Sequence, residues 1–88
     1  MSILRHGTYP LRISISEYPN FSDRLKVAMR LRKCSVEELA GICFLTPSAI
    51  SGYRSGLRSP NIEILRILAK NLDVSSDFLI GLQEEIYV

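Results

Sequence analysis

"SVEELAGICFLTPSAISGYRSG", residues 35 to 56, is the stretch on which the reading of this chain turns. Ser35 followed three residues later by Glu38 is a capping box, in which the serine hydroxyl accepts from one orphan N–H of a helix start and the glutamate carboxylate from another. The spacing predicts a helix over 36 to 43. Its apolar residues Val36, Leu39, Ala40, Ile42 and Cys43 form an inward stripe, leaving Glu37, Glu38 and Gly41 for solvent. Thr46 then caps a second helix that has Pro47 at its first position, where the missing N–H costs nothing. Ile50 and Tyr53 point inward, Ser48, Ala49, Ser51 and Gly52 point outward, and Gly56 after Ser55 supplies the left-handed stop. Two short helices across so tight a turn make a helix-turn-helix.

Working outward, Ser22 is the expected N-cap of a preceding helix that runs to about Lys33, with Asp23 a favourable charge in its first turn. Leu25, Ala28, Met29 and Arg32 share one side, and Arg24, Lys26, Arg30 and Lys33 decorate the rest. After Gly56, "LRSPN" reads as a loop in which Ser59 or Asn61 caps a fourth helix to Leu72. Ile62, Leu65, Leu68, Ala69 and Leu72 are its core stripe. A last short helix over 76 to 80 stops at Gly81. Upstream, residues 11 to 16 alternate, with Leu11, Ile13 and Ile15 on one face and Arg12, Ser14 and Ser16 on the other, which is strand periodicity. A lone strand needs a partner, and the C-terminal "EEIYV", residues 84 to 88, is the other segment with β character. The two ends are expected to pair, within one subunit or between two, the alternative being a frayed N-terminal arm. The fold class expected is all-α, five helices with a short β-prone N-terminal extension. Residues 21 to 81 form the domain, flanked by 1 to 20 and 82 to 88.

Eighty-eight residues, 47% hydrophobic and 23% charged, suit one domain with a single modest core. No apolar run reaches the roughly 18 residues of a membrane span, and "MSILRHGTYPLR" lacks the continuous apolar region of a secretory signal. The expectation is a cytoplasmic protein with no membrane partner. Cys34 and Cys43 stand at apolar positions as reduced core residues. With one histidine, His6, no metal or other cofactor is expected. No Gly-rich phosphate loop and no nucleophile beside a base are present, so no catalytic residue, enzyme activity or small-molecule substrate is expected. The net charge of +2 is unevenly spread, +5 over residues 1 to 33 and −3 over 59 to 88. Such polarity orients a domain on a phosphate backbone, or is simply a solvated face.

The motifs together resemble a known family. "RLKVAMRLRKCS", "SVEELAG", "TPSAISGYRSG" and "RSPNIEILRILAKNLDVSSDFLIG" are similar, in order, to the helices of the DNA-binding domain of the lambda repressor and Cro type. The resemblance implies a transcriptional regulator whose recognition helix, about 47 to 54, enters the major groove of double-stranded DNA, working as a homodimer. It puts Pro47, Ser48, Ser51 and Gly52 toward bases, with Thr46 and Ala49 beside them. Ser35 and Val36, at the start of the preceding helix, face phosphate, as do Ser55 and Arg58 after the recognition helix. Four departures stand out. Val36 replaces a frequent glutamine, and the base-facing side chains are short, so direct readout is weak. Met29 and Arg54 replace an arginine and glutamate that commonly pair, so Arg54 either points at DNA or lies over Tyr53 toward solvent. Phe44 replaces a turn glycine, straining the turn, marking a slightly different helix-to-helix angle, or offering a partner an exposed apolar contact. The alternative function is a protein-interaction module, an antitoxin-like or accessory factor on the same fold.

Overall fold

A computed structural model describes residues 10 to 87. His6, Arg5 and Val88, which entered the readings of metal binding, charge and the C-terminal strand, lie outside the described residues. Five helices follow one strand and precede another: β1 Pro10–Arg12, α1 Phe21–Leu31, α2 Val36–Cys43, α3 Pro47–Ser55, α4 Ile62–Leu72, α5 Ser76–Leu79 and β2 Glu85–Tyr87. Side-chain caps hold most helix starts. Ser35, Thr46, Asn61 and Ser75 accept from the backbone N–H groups of Glu38, Ala49, Ile64 and Phe78, satisfying donors that would otherwise be orphaned. Helix α1 differs from expectation at both ends. Asn20, not Ser22, is its N-cap and makes no side-chain cap bond, while the helix stops at Leu31 because Lys33 turns into the left-handed region.

Leu25, Ala28, Leu39, Ile50, Leu68, Leu72, Phe78 and Leu79 meet at the centre, fully or almost fully buried. Burial of this kind is worth about 1.5 to 3 kcal/mol for each large side chain, and it sets the angles at which α2 and α3 are held. Two residues assigned to the inward stripes face outward instead. Ile42 is half exposed and Ile62, the first residue of α4, is 75% exposed. No helix among the described residues is long and apolar enough to cross a membrane.

The alternating N-terminal segment becomes a strand only over Pro10–Arg12. It pairs antiparallel with Glu85–Tyr87 inside the same chain, Leu11 opposite Ile86. Beyond Arg12 the chain turns, with the Tyr18 N–H donating to the Ser14 carbonyl and the Ile15 N–H to the Glu84 carboxylate. Arg24 corrects the sequence reading most sharply. Expected on the surface, it is wholly buried. Its guanidinium donates to the carbonyls of Tyr18, Phe78, Gln83 and Ile13 at 2.7, 3.0, 2.6 and 2.7 Å and lies 4.7 Å from the Phe78 ring centre. Burial lowers the pKa of Arg24 and the charge of Glu84 opposes that, but the guanidinium stays protonated. Arg32 acts likewise, donating to the carbonyls of Leu72, Asp73 and Tyr87. Gly81 completes this side: its φ is +85°, and a Cβ there would lie 2.9 Å from the Pro19 carbonyl oxygen.

Candidate nucleic-acid interface

The capping box at the start of α2 is complete, because the Ser35 N–H donates to the Glu38 carboxylate while the Glu38 N–H donates to the Ser35 hydroxyl. At the other end of α2 the chain reverses through Phe44, which holds φ 57° and is 95% exposed. The left-handed region disfavours any residue with a Cβ, and no buried contact offsets that for the phenyl ring. Thr46 and Pro47 then start α3 as the sequence requires, and Gly56 ends it at φ 83°.

Helix α3 is fastened by Ile50 and Tyr53. Tyr53 is buried edge-to-face against Phe21, with ring centres 6.5 Å apart, a favoured aromatic geometry. The inward face is wider than Ile50 and Tyr53 alone, because Ala49 and Gly52, expected outward, are buried too. The cause at Gly52 is Arg58. The Arg58 N–H donates to the Gly52 carbonyl, its guanidinium sits 5.8 Å from the Tyr53 ring centre, and a Cβ on Gly52 would come within 2.6 Å of Arg58 Cδ. Glycine here is the seat for the arginine stem.

Of the candidate contact residues, Thr46, Pro47, Ser48, Ser51, Ser35, Ser55 and Arg58 are exposed, Val36 and Arg54 are half-buried, and Ala49 and Gly52 are inside. Ser48 and Ser51 make no side-chain hydrogen bond within the described residues, so both hydroxyls are open to a ligand. The Ser55 hydroxyl donates back to the Gly52 carbonyl. The exposed face of α3 is therefore narrow and small, flanked by Arg58 on one side and Arg54 on the other. Lys26 and Arg30, part of the basic surface read on the first helix, line one cavity of about 280 Å³ with Arg54, Ser35 and Val36. Their spacing of four on a helix was the signal that they share a face.

Comparison with known proteins agrees with this architecture. The helix-turn-helix family model matches residues 25 to 79. In Bacillus subtilis (strain 168), the uncharacterized HTH-type transcriptional regulator YobD is 31% identical over 65 residues, 74% of this chain and 58% of YobD. The HTH-type transcriptional regulator AnsR of the same organism is 32% identical over 63 residues, 72% of this chain and 54% of AnsR. The chain thus spans little more than half the length of these curated relatives. Among solved structures, the P22 c2 repressor in complex with a synthetic operator superposes with a TM-score of 0.68 at 25% identity, covering 73% of this chain and 97% of that one. With more than half of its residues on the family model and a five-helix, lambda-repressor-like fold, the chain belongs to the helix-turn-helix family.

Proposed function

We propose that this chain is a DNA-binding transcriptional regulator, with α3 as the helix that enters the major groove. The observation that carries the reading is the exposed face of α3, small enough at Pro47, Ser48 and Ser51 to approach base edges, and flanked by the two arginines Arg54 and Arg58. Docking of this kind places the N-terminal part of the recognition helix on bases and the start of the preceding helix on phosphate. Thr46, Ser35, Val36 and Ser55 lie around that footprint. Ala49 and Gly52 support it from inside. The relatives' names and the operator in the P22 c2 complex support the same assignment. Residues 21 to 81 are the binding unit in this reading, and the segments on either side brace it. Cytoplasmic action follows for a bacterial regulator whose target is the genome.

The regulator acts as a homodimer, because one module reads one half-site and two-fold pairing sets two recognition helices about 34 Å apart. The terminal strands pair within one chain, so their pairing with each other needs no second copy. Leu57 and Ile62, both exposed around the loop from α3 to α4, give the second copy an apolar surface. Titrating the chain with random-sequence duplex DNA at two salt concentrations tests the main reading. If a dimer neutralises about 6 to 10 phosphates, raising salt from about 50 to 200 mM costs about 10³ to 10⁵ in affinity. Binding that is undetectable at low salt, or indifferent to salt, moves the assignment to a protein-interaction module. Sedimentation equilibrium with Ile62→Asp tests the dimer, an unchanged mass clearing Ile62 from the interface.

A further inference from the structure

We infer that Arg54, Lys26 and Arg30 form a seat for one phosphate of the DNA backbone, so that Arg54 grips the duplex from the far end of α3. The inference rests on the DNA-binding reading and names the partner of one part of that site. The cavity is walled by Lys26, Arg30, Arg54, Ser35, Val36 and the neighbouring Met29 and Cys34. Three cations line it and no carboxylate does. The Arg54 Nε is shut off from solvent and has no hydrogen-bond partner among the described residues, a state that costs free energy and leaves the guanidinium unanchored to any protein acceptor. At the back of the molecule Arg24 and Arg32 have carbonyl acceptors, although Arg32 Nη1 is also unmet. Arg54 donates no hydrogen bond at all within the described residues.

The adjoining start of α2 adds to the same field. Its capping box occupies the N–H groups of Ser35 and Glu38, while those of Val36 and Glu37 have no acceptor within the helix. The Glu38 carboxylate is turned back onto Ser35 and does not line the cavity. Burial first, and then the charge of Glu38, pushes the Cys34 thiol up, so that carboxylate is felt at the wall, one anion set against the three cations that line it. Arg54 belongs to the last turn of α3 and turns toward α1, whereas the base-facing serines are in its first turns.

The experiment pairs duplex binding with a simpler anion. For each bound subunit, Arg54→Gln should weaken a preferred and a random duplex alike by about tenfold at low salt, the worth of one charge-assisted hydrogen bond. The salt slope should fall by about 0.9 per subunit, about 1.8 for a dimer, so the deficit per subunit narrows about threefold between roughly 50 and 200 mM. Lys26→Gln, on an exposed side chain, should act in the same direction and does not depend on how the Arg54 variant folds. In the second arm, inorganic phosphate should move the amide NMR signals of Val36 and Glu37 in the unaltered chain and not in Arg54→Gln. A loss confined to one base pair, or an unchanged salt slope, overturns the seat in favour of base reading. Silence of those amides toward phosphate in the unaltered chain also overturns it. An unaltered chain that binds no duplex overturns the DNA-binding reading and this source of the phosphate, while the phosphate arm still reports on the seat by itself.

Discussion

Arg24 is wholly buried and Arg54 half-buried with its Nε shut off from solvent, and the two live in opposite circumstances. Arg24 has four carbonyl acceptors, drawn from the N-terminal arm, α5 and the segment before β2. Arg54, on the helix-turn-helix side, leaves its Nε unmet. That side also carries the exposed, left-handed Phe44 and the open hydroxyls of Ser48 and Ser51. Carbonyl acceptors at the back, where only Arg32 Nη1 is left unmet among the described residues, and unspent donors at the front teach where this molecule keeps its stability and where it keeps capacity for a ligand. Unsatisfied or strained groups concentrate where function needs them.

The contrast is tested hardest by Arg24→Met. Removing the donor strands the buried Phe78 carbonyl and three part-buried ones, and a loss of about 3 kcal/mol is expected, read as a lower urea midpoint. A loss under about 1 kcal/mol would mean that water replaces the guanidinium easily and the back is not saturated by it. Next in size is Gly52→Ala. The new Cβ displaces the Arg58 stem from its seat, and duplex affinity should fall by about 1 kcal/mol for all sequences, measured by anisotropy. If stability falls while affinity holds, Arg58 does not serve the interface.

Phe44→Gly should raise stability by about 0.5 kcal/mol, since relief of the left-handed strain outweighs the chain entropy glycine adds. An unfolding curve shifted the other way would show that the exposed ring has a contact worth more than the strain. The smallest effect is at the back. The Ile15 N–H, and after it Arg12, hold the Glu84 carboxyl below its usual range. A folded pKa below the unfolded one gives stability that is present above the ordinary carboxylate range and lost as pH falls through the folded value. Glu84→Gln should flatten that acid limb in a pH series of thermal melts by bringing the neutral plateau slightly down toward the acid value.

The helix-turn-helix was legible because its signals are local. Ser35 with Glu38, Thr46 with Pro47, and Gly56 each fix a boundary within four residues, and the structure has them in place. What escaped the sequence depends on distant partners. Arg24 lies four residues before Ala28, on the buried stripe, yet its polarity assigned it to solvent, and its acceptors at 13, 18, 78 and 83 are brought to it only by the finished fold. The burial of Gly52 follows from Arg58 folding back over it, which no helical period encodes. Ala49 was hidden by its size, since alanine suits either face. At the candidate site, Ser48, Ser51 and Arg58 are exposed as read, but the meeting of Arg54 with Lys26 and Arg30 needed the angle between α1 and α3.

Arg24 also bears on time. Two of its acceptors, Phe78 and Gln83, are 54 and 59 residues away along the chain, so those bonds cannot close until α1 and the last helix have already docked. Contacts of such long sequence separation come late, after the loop entropy they depend on has been spent. Interactions absent from the transition state leave the folding rate alone and slow unfolding. The guanidinium then works as a latch on the finished molecule. In a stopped-flow chevron, Arg24→Met should leave the refolding arm where it is and lift the unfolding arm.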